Sequence, residues 1–570
     1  MQATFSDLSP EVILLIFNEL DPINVLYSFY VSLKIDQNLF GLFESDSLLE
    51  TFNNLRKLSL INPKSINELL PFTYIFKQLY ELAVSFDRSF NDNQFVSQYI
   101  FSLKNGESLT KCSIQHFCDH GLLLNKQLIK RGTSFIKHLT INLHKFDDFF
   151  IILDNLTFLQ YFNVQIYDIG YNYVETNNNN NLVSNLVELQ ITFIKPIIMN
   201  HYQRIEMSLQ KLHTLTYLSF KINKLSSFIV DGNRLENGLL LYMKNLKKFD
   251  FHIISIGTNF ESSHIMSTFK TTYWCQEHNW HVGCYSNSEY KYFHLFSLPF
   301  AYSNLDQIGL NFFYGTMNVE NIWFDEDGKK CVEDAHYTNI NGWKNVRELQ
   351  LVSNDCSTTQ SIFITELIDI FQIEEFYNLK KITFNSFEFS DPDEINYSYF
   401  KFIKPETLIL NDCSIKNYNT MKALLLLMHG HFREMKFDYN QLSSLIFNKH
   451  SQFEFDPNGY SKTTPFEYCS FEGNDEDDFF KSCRIGDNED KNFDICQELY
   501  DIFNRVIILE LCASRIENEL DTFSTILRYL FVNVEDFTLN LCDEVYSLCQ
   551  IVECIVSCMH KLSHLHIYNF

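Results

Sequence analysis

One phrase recurs along the chain: an asparagine, an apolar residue, two mostly polar residues, an apolar residue, a polar residue and a last apolar residue. It reads Asn54-Leu55-Arg56-Lys57-Leu58-Ser59-Leu60, and again Asn245-Leu246-Lys247-Lys248-Phe249-Asp250-Phe251, with close repeats beginning at Asn185, Asn345, Asn378 and Asn533. Looser copies that keep only the apolar skeleton start at Leu79, Leu109, Ile136, Leu159, Leu215, Leu305, Phe432, Val506 and Leu562. Lys404-Pro405-Glu406-Thr407-Leu408-Ile409-Leu410 fits with proline at the first apolar site. The bare skeleton is expected by chance on the order of fifty times in a chain this apolar. The weight rests instead on the polar residues held between the apolar ones, which a strand with one buried face requires. It rests also on the spacing, since the starts at 55, 79, 109, 136, 159, 186, 215 and 246 are separated by 23 to 31 residues.

That step suits a strand–turn–helix unit, which is too short to bury its own apolar face and has to stack on neighbours. Helices fit between the strands, as at Asn419 to His429, where Met421, Leu424, Leu425 and Met428 share one face. The expected class is therefore α/β, a curved parallel sheet with helices on its convex side, over residues 46–570. Two stretches break the period, at about 253–304 and 439–505. The first contains Trp274 and Trp280 and reads as an inserted hairpin or lid. The second holds Asn474-Asp475-Glu476-Asp477-Asp478 and Asp487-Asn488-Glu489-Asp490, a charge density that predicts a solvated loop. The asparagine run Asn177 to Asn181 predicts another.

Residues 1–45 follow a different rule. Ser9 is placed to cap a helix whose first position is Pro10, with Glu11 near its positive end. Val12, Ile13, Ile16, Phe17 and Leu20 then form a helical apolar stripe, and Asp21-Pro22 ends that helix and opens another through Val25, Leu26 and Phe29. Leu8, Pro10, Glu11, Ile13, Ile16, Phe17, Leu20, Asp21, Pro22 and Leu26 give this segment its resemblance to an F-box, a small all-α module. Tyr30-Val31-Ser32-Leu33-Lys34-Ile35 stands where many F-boxes continue with a Val-Cys-x-x-Trp-like stretch. The longer repeat resembles the L-x-x-L-x-L strand of irregular leucine-rich repeats, and an F-box followed by such a solenoid is a known domain order. What the resemblance implies is a substrate-recognition adaptor of a Skp–cullin–F-box ubiquitin ligase. Leu8, Pro10, Glu11, Ile13, Ile16, Phe17, Leu20, Pro22 and Leu26 would dock the Skp-type linker subunit, and through it a cullin. The solenoid would hold an unknown target protein, with Arg56, Glu188, Lys247, Glu348 and Lys380 as candidate surface residues. The alternative is a repeat scaffold with no ligase role, in which residues 5–45 only cap the first repeat.

Composition narrows the choice. Seventy-one acidic against 45 basic side chains leave a formal charge of −26, which repels nucleic acid and anionic membrane surfaces alike. Fifteen cysteines at irregular spacings, with no CxxC pair, read as reduced and mostly buried thiols. Cys549, Cys554 and Cys558 among Ile551, Val552, Ile555 and Val556 read as the core face of a helix. The start lacks a signal-peptide pattern and no apolar run reaches about 20 residues, so a cytoplasmic or nuclear protein is expected. Neither a phosphate loop nor a nucleophile elbow, HExxH or GxGxxG is present, so no enzymatic activity and no cofactor is expected. One constellation carries zinc-type ligands, Cys275, His278, His281 and Cys284, but ten residues are a cramped loop for four tetrahedral ligands. The expected reading there is packing and no metal.

Overall fold

In the computed structural model the described residues are 32–35, most of 55–170, most of 185–309, short pieces at 323–324 and 330–331, most of 343–442, pieces at 482–484 and 494–496, and most of 502–569. They form two compact units, Met1–Leu298 with Asn318–Val332, and Pro299–Met317 with Glu333–Phe570.

The first unit is built on an eleven-stranded sheet: β1 (Ser32–Ile35), β2 (Lys57–Ile61), β3 (Glu81–Phe86), β4 (Lys111–His116), β5 (His138–Lys145), β6 (Tyr161–Asp168), β7 (Glu188–Phe193), β8 (Tyr217–Ser226), β9 (Lys248–Ile256), β10 (His281–Asn287) and β11 (Tyr292–Leu298). β1 to β9 follow one another in chain order and pair in parallel. The register aligns Lys57, Glu81, Lys111, His138, Tyr161, Glu188, Tyr217 and Lys248 as first residues of successive strands. Each is the second of the two residues that separate the first and second apolar positions of the phrase found in the sequence. The first apolar residue of the phrase is buried just before each strand: Leu55, Leu79, Leu109, Ile136, Leu159, Leu186, Leu215 and Leu246 are all at most 4% exposed. Within the 253–304 stretch the pattern reverses. β11 runs antiparallel to β9, and β10 closes a hairpin outside it.

Further along the chain come β12 (Asn304–Ile308), β13 (Trp323–Phe324), β14 (Lys330–Cys331), β15 (Glu348–Val352), β16 (Gln360–Phe363), β17 (Lys381–Asn385), β18 (Phe387–Ser390), β19 (Thr407–Asn411), β20 (Ser414–Ile415), β21 (Glu434–Asp438), β22 (Ser482–Arg484), β23 (Asp494–Cys496), β24 (Ile508–Ala513), β25 (Asp536–Leu541) and β26 (His564–Asn569). An eight-stranded parallel sheet takes β12, β15, β17, β19, β21, β24, β25 and β26 in that order. Three successive repeats add a second short strand, so that β16, β18 and β20 form their own parallel sheet. One expected start is displaced. Leu305 pairs with Leu349, which makes it the second apolar position of its repeat and not the first.

Two interactions explain why the phrase looks as it does. At each step one backbone carbonyl accepts from two successive N–H groups of the next repeat: Arg56 O takes Tyr80 N and Glu81 N at 2.7 and 3.0 Å, and Gln160 O takes Val187 N and Glu188 N at 2.9 Å each. The same pair recurs in the second sheet, where Arg347 O accepts from Lys380 N and Lys381 N. The asparagine of the strict copies supplies a third link. Asn185, Asn245, Asn345, Asn378 and Asn533 donate their side-chain amides to the carbonyls of Thr157, His213, Phe300, Lys344 and Asn504, at 2.6 to 3.1 Å. Asn54, the sixth, lies outside the described residues. An amide both fits the turn and satisfies a carbonyl that the corner would otherwise leave to water.

Helices cover one face of the sheets. α1 (Phe146–Asn155), α2 (Met199–Leu209), α3 (Gly232–Gly238) and α4 (Ser262–Ser267) belong to the first unit. α5 (Tyr418–Leu427), α6 (Leu520–Leu530) and α7 (Leu548–Cys558) belong to the second. Phe149 of α1 stacks on Phe162 of β6 at 5.4 Å, and Tyr202 of α2 meets Phe220 of β8 edge-on. Ion pairs bind neighbouring helices: Arg234 grips Glu206 through two bonds of 2.9 and 2.8 Å while lying 4.8 Å over the Tyr202 ring, and Arg204 pairs with Asp147. In α5, Met421, Leu424 and Leu425 are buried as their spacing requires. The cysteines of α7 depart from expectation. Cys558 is buried, but Cys549 is exposed and Cys554 only half-buried, because the inward stripe runs through Ile551, Ile555 and Cys558.

Residues 1–31 and 36–45 of the F-box-like segment, the Asn177–Asn181 run and nearly all of the 439–505 stretch lie outside the described residues. Ser32–Ile35, expected inside an all-α module, instead form β1 and pair in parallel with β2, because their backbone groups complete the edge of the sheet. Among the described residues no helix is long and apolar enough to cross a membrane.

Candidate functional site

Strand alternation leaves every second residue of both sheets pointing away from the helices. In β2 and β3, Leu58, Leu60, Leu82 and Val84 are buried, while Lys57, Ser59, Glu81 and Ala83 between them are half-exposed. Register turns these outward residues into rows. The middle row of the first sheet reads Ser59, Ala83, Ser113, Thr140, Asn163, Gln190 and Ser219, small or uncharged side chains rich in hydrogen-bonding groups.

The row at the strand starts is charged and aromatic, and its members engage one another across strands. Lys57 pairs with Glu81 at 3.2 Å, and the rings of His138 and Tyr161 stack 4.1 Å apart and nearly parallel. Tyr217 donates its hydroxyl to Asp250 at 2.9 Å. Lys248 reaches the same carboxylate at 2.8 Å and lies 4.7 Å over the Tyr217 ring. Burial, then Lys111, lowers the His138 imidazole below its ordinary value, so it is neutral at pH 7. Burial, then Asp250, raises the Tyr217 phenol. The outward face of the second sheet carries a similar lattice, with Lys436 on Glu510 at 2.8 Å, Asn540 donating to Glu510 at 2.6 Å, and Asn411 donating to Asn385 at 2.9 Å. Such a surface offers donors, acceptors and rings at strand spacing, which suits recognition of another polypeptide.

At the β8 to β11 end the character changes. Lys221, Asp250, His252 and His294 are polar or charged yet at most 9% exposed. His252 Nε2 and His294 Nδ1 stand 3.3 Å apart with rings stacked at 5.6 Å, and Tyr285 and Phe296 flank them. Burial above all, then the charge of Lys221 and the neighbouring His294, pushes His252 well below its ordinary value. This patch was not singled out from the sequence. The available signal was the loss of alternation: Ile253-Ile254 in β9 and Phe293 to Phe296 in β11 put apolar side chains on both faces, as a strand covered on both sides does.

The residues singled out beforehand fall in three groups. Leu8, Pro10, Glu11, Ile13, Ile16, Phe17, Leu20, Pro22 and Leu26 lie outside the described residues. Of the surface candidates, Glu188 and Glu348 are first residues of β7 and β15 on the outward row. Arg56, Lys247 and Lys380 sit one residue earlier, at the corners, where Arg56 donates to Gln78 O and Lys380 pairs with Glu406. The Cys/His quartet is dispersed. Cys275 lies in a π-helical turn and donates to Phe269 O, His278 stacks on Trp280 at 4.1 Å, His281 opens β10, and Cys284 is fully buried in the core. Among the described residues no group of three or more His, Cys, Asp or Glu side chains is placed to hold a metal ion.

Compared with known proteins, the chain matches no family model and no curated protein.

Proposed function

We propose that this chain is a leucine-rich-repeat-like solenoid that holds a target protein on the outward rows of its sheets. We further propose that the residues before β1 dock a Skp-type linker subunit in the manner of an F-box, which makes the whole a substrate-recognition adaptor of a cullin ubiquitin ligase. The observation that carries the solenoid reading is the in-register succession of β1 to β9 in chain order, which lines up the outward residues of successive strands in rows. Quasi-one-dimensional stacks of this kind present long surfaces of independent side chains, which favour binding over chemistry. The ligase reading rests on the sequence of residues 5–26. In it, this chain positions a substrate while partner subunits make and break the bonds. The alternative, a scaffold with no ligase role, shares the same binding face.

Purification from cells separates the two. Wild-type chain is expected to bring down a Skp-type subunit, and Ile16→Asp with Phe17→Asp is expected to abolish that while leaving the repeats folded. Wild type that retains no such subunit overturns the ligase reading and leaves the scaffold.

A further inference from the structure

Register assembles charge that the sequence disperses. Each repeat places two residues between its first and second apolar positions, one at the corner and one at the start of the strand. Along β2 to β9 all of these reach solvent at least in part. The two rows they form hold six cations, Arg56, Lys57, Lys111, Lys137, Lys247 and Lys248, against two carboxylates, Glu81 and Glu188. The whole chain carries a formal charge of −26, so this border reverses the sign of the protein. The same two positions of the eight-stranded sheet do not, since Arg347, Lys380, Lys381 and Arg433 stand there against five carboxylates.

The excess is unbalanced on β2 to β5. Glu81 lies between Lys57 and Lys111 in the register and pairs with Lys57 at 3.2 Å. Arg56 donates to a neutral carbonyl, that of Gln78. Lys111 lies 5.8 Å over the Tyr80 ring, and Lys137 is exposed at the next corner; among the described residues neither joins an ion pair. The field reaches His138, whose imidazole is lowered first by burial and then by Lys111, with Glu188 opposing and Lys137 adding to the effect. Strands lie about 4.8 Å apart, so Arg56, Lys57, Lys111 and Lys137 span about 14 Å, the length of about four residues of extended chain. Five of the six cations are lysines, point charges that suit a run of carboxylates better than the bidentate clamp arginine gives a phosphate. A nucleic acid, charged every 1.7 Å or so of its axis, would run beyond this short border onto an acidic protein.

We propose that the strand-start border of β2 to β5 receives a carboxylate-rich segment of the protein held on the first sheet, with Lys111 and Lys137 as its anchors. The uncharged row beside it, through Ser113, Thr140 and Asn163, then meets the neighbouring part of the same partner. This rests on the target-holding reading and is independent of the ligase role.

A fluorescein-labelled hexaglutamate peptide tests it on the intact chain by anisotropy. Wild type is expected to bind the peptide, to release it as salt is raised, and to leave hexaglutamine unbound. Lys111→Gln with Lys137→Gln should weaken binding about tenfold, the worth of two exposed charge contacts. Lys380→Gln with Lys381→Gln, at the same positions of the other sheet, should leave it unchanged. His138 supplies a readout on wild type alone. Bound carboxylates offset Lys111 and Lys137, so its NMR titration, assigned with His138→Gln, should move to higher pH. No binding, equal losses in the two double variants, an unmoved His138, or tighter binding of a single-stranded oligonucleotide or phosphatidylserine vesicles than of the peptide overturns the proposal. Failure of the target-holding reading shows differently, as wild type that retains no protein from cells, and the peptide measurements do not depend on it.

Discussion

Asn533 is the place where the logic of the repeat can be tested in one residue. Its amide nitrogen donates to Asn504 O at 2.6 Å and to Asn504 Oδ1 at 3.0 Å, while its Oδ1 accepts from Lys561 Nζ. Three successive repeats are thus joined through one side chain. Replacement by alanine removes these bonds. The link to the backbone carbonyl is worth about 1 kcal/mol net, and the exposed lysine contact adds a few tenths at most, so Asn533→Ala should cost about 1–2 kcal/mol. Aspartate is the sharper probe because it is nearly isosteric. It strengthens the contact with Lys561 but turns the donor into an acceptor and sets a carboxylate against Asn504 O. If donation is what the asparagine supplies, Asn533→Asp should be at least as damaging as alanine despite the better charge pairing. A long array need not unfold in one step, so amide exchange of β24 to β26 is the suitable assay, with urea unfolding alongside. Protection in those strands should fall by roughly one order of magnitude. An aspartate variant as well protected as wild type would refute the reasoning, since size and shape alone would then explain the recurrence of asparagine.

Two other outcomes follow from the geometry. The native His252 imidazole binds its proton more weakly than the unfolded one, so the unfolded chain takes up protons first as pH falls below about 6.5. Stability is therefore full above that pH and declines on acidification, by up to about 1.4 kcal/mol per pH unit for one group; unfolding measured between pH 7 and 5 should show a shallower slope for His252→Gln, and equal slopes would contradict the assignment. Burial raises Asp148 to about 7, a shift of opposite sign that weakens the fold as pH rises from 3.8 toward 7, which is why the comparison with the His252 variant is needed. Gly121, at φ +61° with a Cβ position 2.6 Å from Leu143 carbonyl carbon, should not tolerate alanine without losing roughly 2 kcal/mol or more, whereas Gly170, at φ +75° with only Asp147 Oδ2 in ordinary contact at 4.0 Å, should lose only about 1 kcal/mol. Similar melting temperatures for the two alanine variants would contradict the close approach.

The strands of the regular repeats were legible in the sequence, whereas β1 and the short β16, β18 and β20 were not. An apolar skeleton filled with polar residues, repeated every 23 to 31 residues, is a local pattern, and local patterns survive translation into structure because strand alternation is a property of the backbone. The recurring asparagine was equally legible, though not its partner: that a side-chain amide spans 28 residues from Asn185 to Thr157 depends on stacking. What covers a strand is a different kind of fact. Lys221 and Lys57 both sit on outward faces of parallel strands, yet one is buried and the other half-exposed, and no residue within either strand decides which. Cys275, His278, His281 and Cys284 are close in sequence, but a π-helical turn, an outward stack on Trp280 and a core-facing strand position send them different ways. Proximity along the chain could not foresee that, because side-chain direction is set by the element each residue joins. Tertiary structure alone brought His252 to His294 across 42 residues. A strand from the regular array and one from the hairpin met there, and burial by elements remote in sequence gave His252 its weak hold on a proton.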